Sequence, residues 1–319
     1  MVIVNESPVY RSQSQRNEES KMDIRQTITD KIIAMLEKGG NEFRARWTAA
    51  AKRGFPTNGK TGAAYQGVNV LILWDEAIER GYASNVWMTY KQAESMGANV
   101  RKGEKGTMAC FFEMKPRKAG EAEQGEDDEG SKPGFFPMCK AFWLFNVAQI
   151  DGLPESFVIP VEPASEFNPI EEAERLLAAS GVPTRHGYNK AFYSPATDTV
   201  CLPDRERFTS PEAYYATRAH EVVHATGAKT RLNRQFGKRF GDDAYAVEEL
   251  IAEIGAAMVV GHLGFVDATI EGHAAYVENW LKVLKNDKTA IFTASKQAGL
   301  AFDFIVGKVA PEQAGAVIQ

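Results

Sequence analysis

Cysteine, long apolar runs and a dense charge of one sign are all scarce in this sequence, and each shortage excludes a class of protein. Of 319 residues only Cys110, Cys139 and Cys201 carry thiols, at spacings that suit neither a disulfide framework nor a metal knuckle, so a reducing compartment is expected. No uncharged apolar stretch approaches the length of a membrane span. The opening MVIVNESPVYRSQSQRNEES lacks a basic start followed by an apolar run, so no signal peptide is read there and a cytoplasmic location with no membrane partner is expected. The net charge is only −5, too sparse for a protein that works by imitating the phosphate array of DNA.

That total conceals an asymmetry. Residues 21–118 carry 17 Lys and Arg against 10 Asp and Glu, whereas residues 151–319 carry 16 against 23. A basic half suits a polyanion and an acidic half does not. At roughly 100–200 residues per domain, two domains are expected.

The chain divides accordingly. Residues 1–20 are polar and aperiodic and read as a disordered tail. Ile24, Ile28, Ile32 and Leu36 recur at four-residue steps before Gly39–Gly40, which predicts an amphipathic helix with its stop. GVNVLILWDEAIERG predicts a second helix, and MTYKQAESMGA a third with Thr89 as cap. GTMACFFEM and FFPMCKAFWLFNVAQI read as two strands of one hairpin, separated by a glycine-rich, acidic, mobile insertion at 116–134. The proline-rich stretch 151–168 reads as a linker, which bounds a first domain at 21–150 and a second at 169–310. In the second, PIEEAERLLAASG is a helix, AFYSPATDTVCLP a short hairpin turning at Pro195–Asp198, and SPEAYYATRAHEVVHATG a helix capped by Ser210 with Pro211 in its first position. AYAVEELIAEIGAAMVVGHLG and GHAAYVENWLKVLKND continue as helices.

The chemistry concentrates in HEVVH, residues 220–224. Side chains at i and i+4 share a helix face, so His220 and His224 can aim ring nitrogens at one metal ion, with Glu221 beside them. A third ligand is sought in EELIAEIGA, where Glu249 and Glu253 are also four apart. One carboxylate could bind metal while the other orients a ligating histidine. The bland alternatives are a helix with two surface histidines and two ion-paired glutamates, or a metal held only for folding. Tyr245 and His273 are candidates for stabilising an oxyanion, and His186 and His262 read as solvent or core histidines. The pattern resembles the gluzincin metallopeptidases, and that resemblance implies Glu249 as metal ligand and Glu253 as orienter, the reverse assignment staying open. It also implies zinc-assisted hydrolysis, with Glu221 taking and relaying the proton and the hairpin strand laying out an extended substrate. Imidazole and carboxylate ligands accept other divalent metals as well as zinc.

In the basic half, RGFPTNGKTGAAYQGVNVL and NVRKGEKGTMACFF interleave Lys and Arg with aromatic residues. Single-stranded nucleic acid needs that mixture, phosphates meeting cations and bases stacking on rings. Composition alone divides evenly between such a surface and aromatics in the core under a solvated basic face. PTNGKTGAAYQGVNVLIL, WMTYKQAESMGANVRKGEKG and FNVAQIDGLP, followed in order by HEVVH and YAVEELIAEIGAA, resemble the ArdC-type antirestriction proteins of plasmids and other mobile elements over roughly residues 23–305. The resemblance implies an α+β protein of two domains: a mixed α/β single-stranded-DNA-binding domain, and a mostly helical zincin-like (gluzincin) domain with a small β-sheet. It further implies a bacterial protein that shields incoming DNA from host restriction, with single-stranded DNA as partner. On the basic segments themselves, the contacts expected for such a strand are Lys60, Tyr65, Asn69, Arg101, Lys102 and Lys105. A zinc-dependent endopeptidase acting on a host restriction enzyme or another protein, and localised by its DNA-binding half, is the alternative.

Overall fold

The computed structural model describes residues 23–39, 47, 49–51, 53–116, 135–157, 169–234, 243–265 and 274–307. The tail at 1–20, most of the acidic insertion and most of the expected linker lie outside these residues. So does His273.

The N-terminal domain begins with α1 (Ile24–Gly39), whose Ile28, Ile32 and Leu36 are fully buried, as the four-residue period requires. β1 (Thr57–Asn58), α2 (Val68–Glu79), β2 (Val86–Met88), α3 (Tyr90–Ser95) and β3 (Asn99–Val100) follow. The foreseen hairpin is β4 (Thr107–Pro116) against β5 (Phe135–Asn146), and β6 (Ile150–Asp151) then pairs antiparallel with β3. The main sheet has the order β1–β2–β5–β4, with β1 and β2 parallel and the other neighbours antiparallel. Thr89 caps α3 through a reciprocal capping box with Gln92, as its position in the sequence suggested. Pro116, read as the first residue of the insertion, is instead the last residue of β4 and pairs with Phe135.

The C-terminal domain runs α4 (Pro169–Ala179), β7 (Thr184–Arg185), β8 (Phe192–Ser194), β9 (Thr199–Cys201), α5 (Pro211–Thr226), α6 (Asp243–His262), α7 (Ala274–Asn286) and α8 (Ala290–Ile305). The foreseen hairpin is β8–β9, turning through Asp198 in the left-handed region at φ 48°, and β7 adds in parallel to the other side of β9. Helix α8 was not foreseen. Its alanines, glycine and scattered phenylalanines give a broadly apolar surface with no sharp stripe, and it is buried against its neighbours at Ala294, Ala298 and Ala301.

One continuous apolar core joins the two domains. It runs from Ile28, Leu36 and Trp47 to Leu250, Ile291 and Phe302, and the Phe55 ring lies between Trp74 and Phe302 at 5.5 and 4.9 Å. Gly261 of α6 is there because Ala51 leaves no room: a Cβ at Gly261 would stand 1.9 Å from the Ala51 methyl.

Candidate functional site

The site is built by α5 and α6 crossing closely. The Ser210 hydroxyl accepts from the Ala213 N–H at 3.1 Å and Pro211 opens the helix, which fixes the phase of α5 and so the direction of its histidines. On α6, Gly255 lets the helices approach: a Cβ there would meet the Val223 methyls at 2.9 Å. Glu248, Glu249 and Glu253 are thereby buried against the HEVVH segment.

The ring nitrogens converge. His220 Nε2 and His224 Nε2 are 3.1 Å apart, and the Glu249 carboxylate reaches each at 3.6 Å. Ligand atoms of His220, His224 and Glu249 all lie within 4.8 Å of one another, the one such cluster among the described residues. The opposite ring nitrogens face carboxylates too: His220 Nδ1 is 3.7 Å from Glu253 and His224 Nδ1 is 3.2 Å from Glu248. Each imidazole therefore stands between a carboxylate at the cluster and one behind it, an arrangement that fixes which nitrogen points inward.

Glu248 is the partner that sequence reasoning missed, and with it Arg234. The Arg234 guanidinium is buried and donates to Glu248 at 2.7 and 3.0 Å, to Thr226 Oγ1 at 2.7 Å and to the Val223 carbonyl at 2.7 Å. A buried arginine fork with four of its five N–H groups engaged in this way clamps the end of α5 to α6. The signal available was the doubled Glu248–Glu249, read only for its second member.

Charge balance shows what the cluster suits. Glu221, Glu248, Glu249 and Glu253 are buried around two histidines and one arginine. Burial pushes the Glu221 carboxyl up to about 7, offset in part by the charge of His224. For His224 burial acts downward, but the Glu248 hydrogen bond and the charges of Glu249 and Glu221 outweigh it and hold the ring up at about 9. Burial raises Glu249, yet the His220 hydrogen bond and the His224 charge bring it down to about 2, with a hydrogen bond from Tyr245 contributing. The pocket thus asks for positive charge. Two imidazole nitrogens and a carboxylate are the donor set that a divalent transition metal takes, so the residues present fit such an ion.

The remaining candidates are distributed as follows. Tyr245 lies on α6 one turn before Glu249, to which it donates. The β8 edge faces the cluster, and the Tyr193 backbone N–H donates to Glu221. In the N-terminal domain, exposed Lys60 donates to Ser95 Oγ at 2.7 Å, and half-buried Tyr65 accepts from Asn58 at 3.0 Å. Asn69 spends both amide groups on the backbone of Cys110, at 2.7 and 2.9 Å, closing the β4 edge. Arg101 is engaged with Glu104 at 2.9 Å and Asp151 at 3.3 Å. Lys102 and Lys105 are exposed on the same turn and make no ion pair among the described residues. Exposed Phe111, Phe112, Met114 and Phe135 stand on the β4–β5 hairpin beyond them.

Two family matches divide the chain as the fold does. Residues 22–145 match the N-terminal domain of anti-restriction factor ArdC, and residues 171–297 match a zincin-like metallopeptidase. Among solved structures, the antirestriction ArdC protein from the R388 plasmid superposes with a TM-score of 0.72 at 37% identity, covering 93% of this chain and 100% of that one. A manganese-bound structure of that protein matches equally, at 36% identity. An uncharacterized protein, y4eC of Sinorhizobium fredii (strain NBRC 101917 / NGR234), is 38% identical over 91% of this chain and 94% of its own length. A DNA primase TraC from Escherichia coli is 36% identical over 90% of this chain, which spans only 27% of the primase. The chain belongs to the ArdC-type antirestriction family, with a zincin-like domain as its second half. Among the described residues no helix is long and apolar enough to cross a membrane.

Proposed function

We propose that this antirestriction protein binds single-stranded DNA through its N-terminal domain and holds one divalent ion, zinc, at His220, His224 and Glu249. The observation that carries the metal reading is the convergence of both Nε2 atoms and Glu249 while Glu248 and Glu253 stand behind the rings. Glu249 rather than Glu253 is the third ligand on this reading, because it faces both Nε2 atoms whereas Glu253 faces Nδ1 of His220. The manganese-bound relative supports a divalent ion, and two imidazoles with one carboxylate are a common zinc set.

When bound there, the ion would polarise a carbonyl and acidify a water molecule. On this reading Glu221, raised towards neutrality by burial, accepts and returns a proton, and Tyr245, which donates to Glu249, serves to meet developing negative charge. The β8 edge beside Glu221 favours a second reading, in which an extended peptide of a host restriction enzyme or another protein is cleaved there.

The DNA reading rests on the exposed basic turn carrying Lys102 and Lys105, on the exposed rings carried further along the β4–β5 hairpin, and on similarity to a DNA primase. The test is metal content of wild type beside His224→Ala, with single-stranded-DNA affinity on the same samples. One zinc per wild-type chain, lost in the variant while DNA binding persists, is expected. A folded wild type that takes up no metal sinks the metal reading. Glu221→Gln, which leaves the ligands in place, separates the two modes: protection from restriction that survives this change excludes proteolysis as its cause.

A further inference from the structure

A different face of α5 lines a depression that none of the chemistry above uses. Tyr214 and Arg218 are four apart on this helix, about a third of a turn round it from His220 and His224. With Glu174 and Ala178 of α4, residues 181–184, His186 and Arg205 they line an open depression of about 390 Å³, with Gly181, Pro183 and His186 exposed at its rim. That is within the usual size of a small-molecule site. The depression adjoins β7, whereas the metal cluster adjoins β8, so the two flank the β7–β9–β8 sheet at opposite edges.

The lining is cationic. Arg218 has a side-chain exposure of 5%, and its Nη1 meets Glu174 at 3.0 Å. That contact is an ion pair without hydrogen-bond alignment: neither Nη1 nor Nε of Arg218 has a hydrogen-bond acceptor among the described residues, and neither does the buried hydroxyl of Thr184. Arg205 lies over the Tyr214 ring at 4.7 Å and reaches the same Glu174 oxygen at 3.2 Å. His186 Nε2 is 3.0 Å from the Tyr214 hydroxyl. Glu174, the one carboxylate among the described lining residues, is shared between both arginines and the Tyr215 hydroxyl at 3.0 Å. Two guanidiniums, an imidazole and idle donors therefore surround a single negative charge. A buried arginine that keeps an unused N–H costs stability unless something else accepts from it.

From this geometry we infer that the depression binds a phosphate monoester, with Arg205 and Arg218 holding the phosphoryl oxygens once Glu174, itself nearly half exposed, swings aside. A monocarboxylate would only exchange one negative charge for another at the two guanidiniums. A phosphate dianion brings a second charge and three acceptors, enough to balance both guanidiniums at once. The ester has two sources, a free small molecule such as a nucleotide or the 5′ end of a DNA strand.

The experiment titrates full-length protein by calorimetry with thymidine 5′-monophosphate, thymidine, acetate, and short oligonucleotides with and without a 5′-phosphate. Saturable binding of the monophosphate but not of thymidine or acetate is expected. Arg205→Ala should weaken it by roughly ten-fold or more, since a charge-assisted contact is lost. Arg205 is half exposed, so this variant is the one expected to fold normally, and Arg218→Gln is the second. A 5′-phosphorylated strand that binds more tightly than its unphosphorylated twin, with the difference erased by Arg205→Ala, assigns the group to a DNA end. Dependence seen only with the monophosphate assigns it to a free ester. Equal binding of acetate and monophosphate, no binding at millimolar concentration, or full affinity in Arg205→Ala overturns the inference.

Discussion

Glu248 holds His224 and Arg234 with one carboxylate oxygen: Oε1 lies 3.2 Å from the imidazole Nδ1 and 2.7 Å from the guanidinium. That oxygen ties the orientation of a candidate metal ligand to the clamp between α5 and α6. Glu248→Gln keeps the volume and one acceptor but removes the charge. Metal affinity should fall by about 10- to 100-fold, the usual consequence of losing a carboxylate behind a ligating histidine. Competition against a chromophoric chelator measures it. An unchanged affinity would make Glu248 a helix clamp alone.

Asp198 offers a pH test away from the cluster. Its carboxylate bonds Arg231 and accepts from the Tyr193 hydroxyl at 2.7 Å, and the Arg231 hydrogen bond, opposed by partial burial, holds its pKa below the ordinary value. A depressed carboxylate contributes stability that is present above the unfolded value and lost as pH falls through the folded one. Asp198→Asn also tolerates the left-handed backbone at φ 48°. The variant should therefore be less stable at pH 7, by up to about 1 kcal/mol because Asp198 is about half exposed, and should equal the wild type in strong acid. Denaturant melts at the two pH values decide it.

At the seam, Gly261→Ala forces a methyl into the space of Ala51. Overpacking of this kind costs about 1–3 kcal/mol, and backbone atoms of Ala51 at 2.9 Å leave little room for relief. The expected result is a lower melting temperature with the same single transition, because one core spans both domains. Two separate transitions in the wild type would contradict that shared core.

Lys102→Gln with Lys105→Gln bears on the DNA reading. If both meet phosphates, the slope of log affinity against log salt for single strands should shrink by about 0.7 per lysine. Arg101→Gln should instead loosen the turn, since that guanidinium already serves Glu104 and Asp151. Salt-independent binding by the wild type would remove the basic turn from the interface.

Much of this architecture is legible in the chain because it is local. The spacing of Ile24 to Leu36, the Thr89 and Ser210 caps and the four-residue spacing within HEVVH are read within a turn or two of helix. The pairing of Glu249 with both Nε2 atoms is not, because it depends on how α6 crosses α5, which Gly255 and Val223 decide in three dimensions. Arg234 stands in an aperiodic stretch, and only the fold brings it to Glu248. His186 looked idle in sequence because its partner, Tyr214, is 28 residues away.

The seam at Ala51 and Gly261 has a consequence for inheritance. A chain whose halves share a core cannot exchange one of them for a stranger without remaking the surface between them. The pair, rather than either domain, is then the smallest unit that recombination can move intact. The match that extends over 90% of this chain within a much longer primase fits that pattern: both halves travel together.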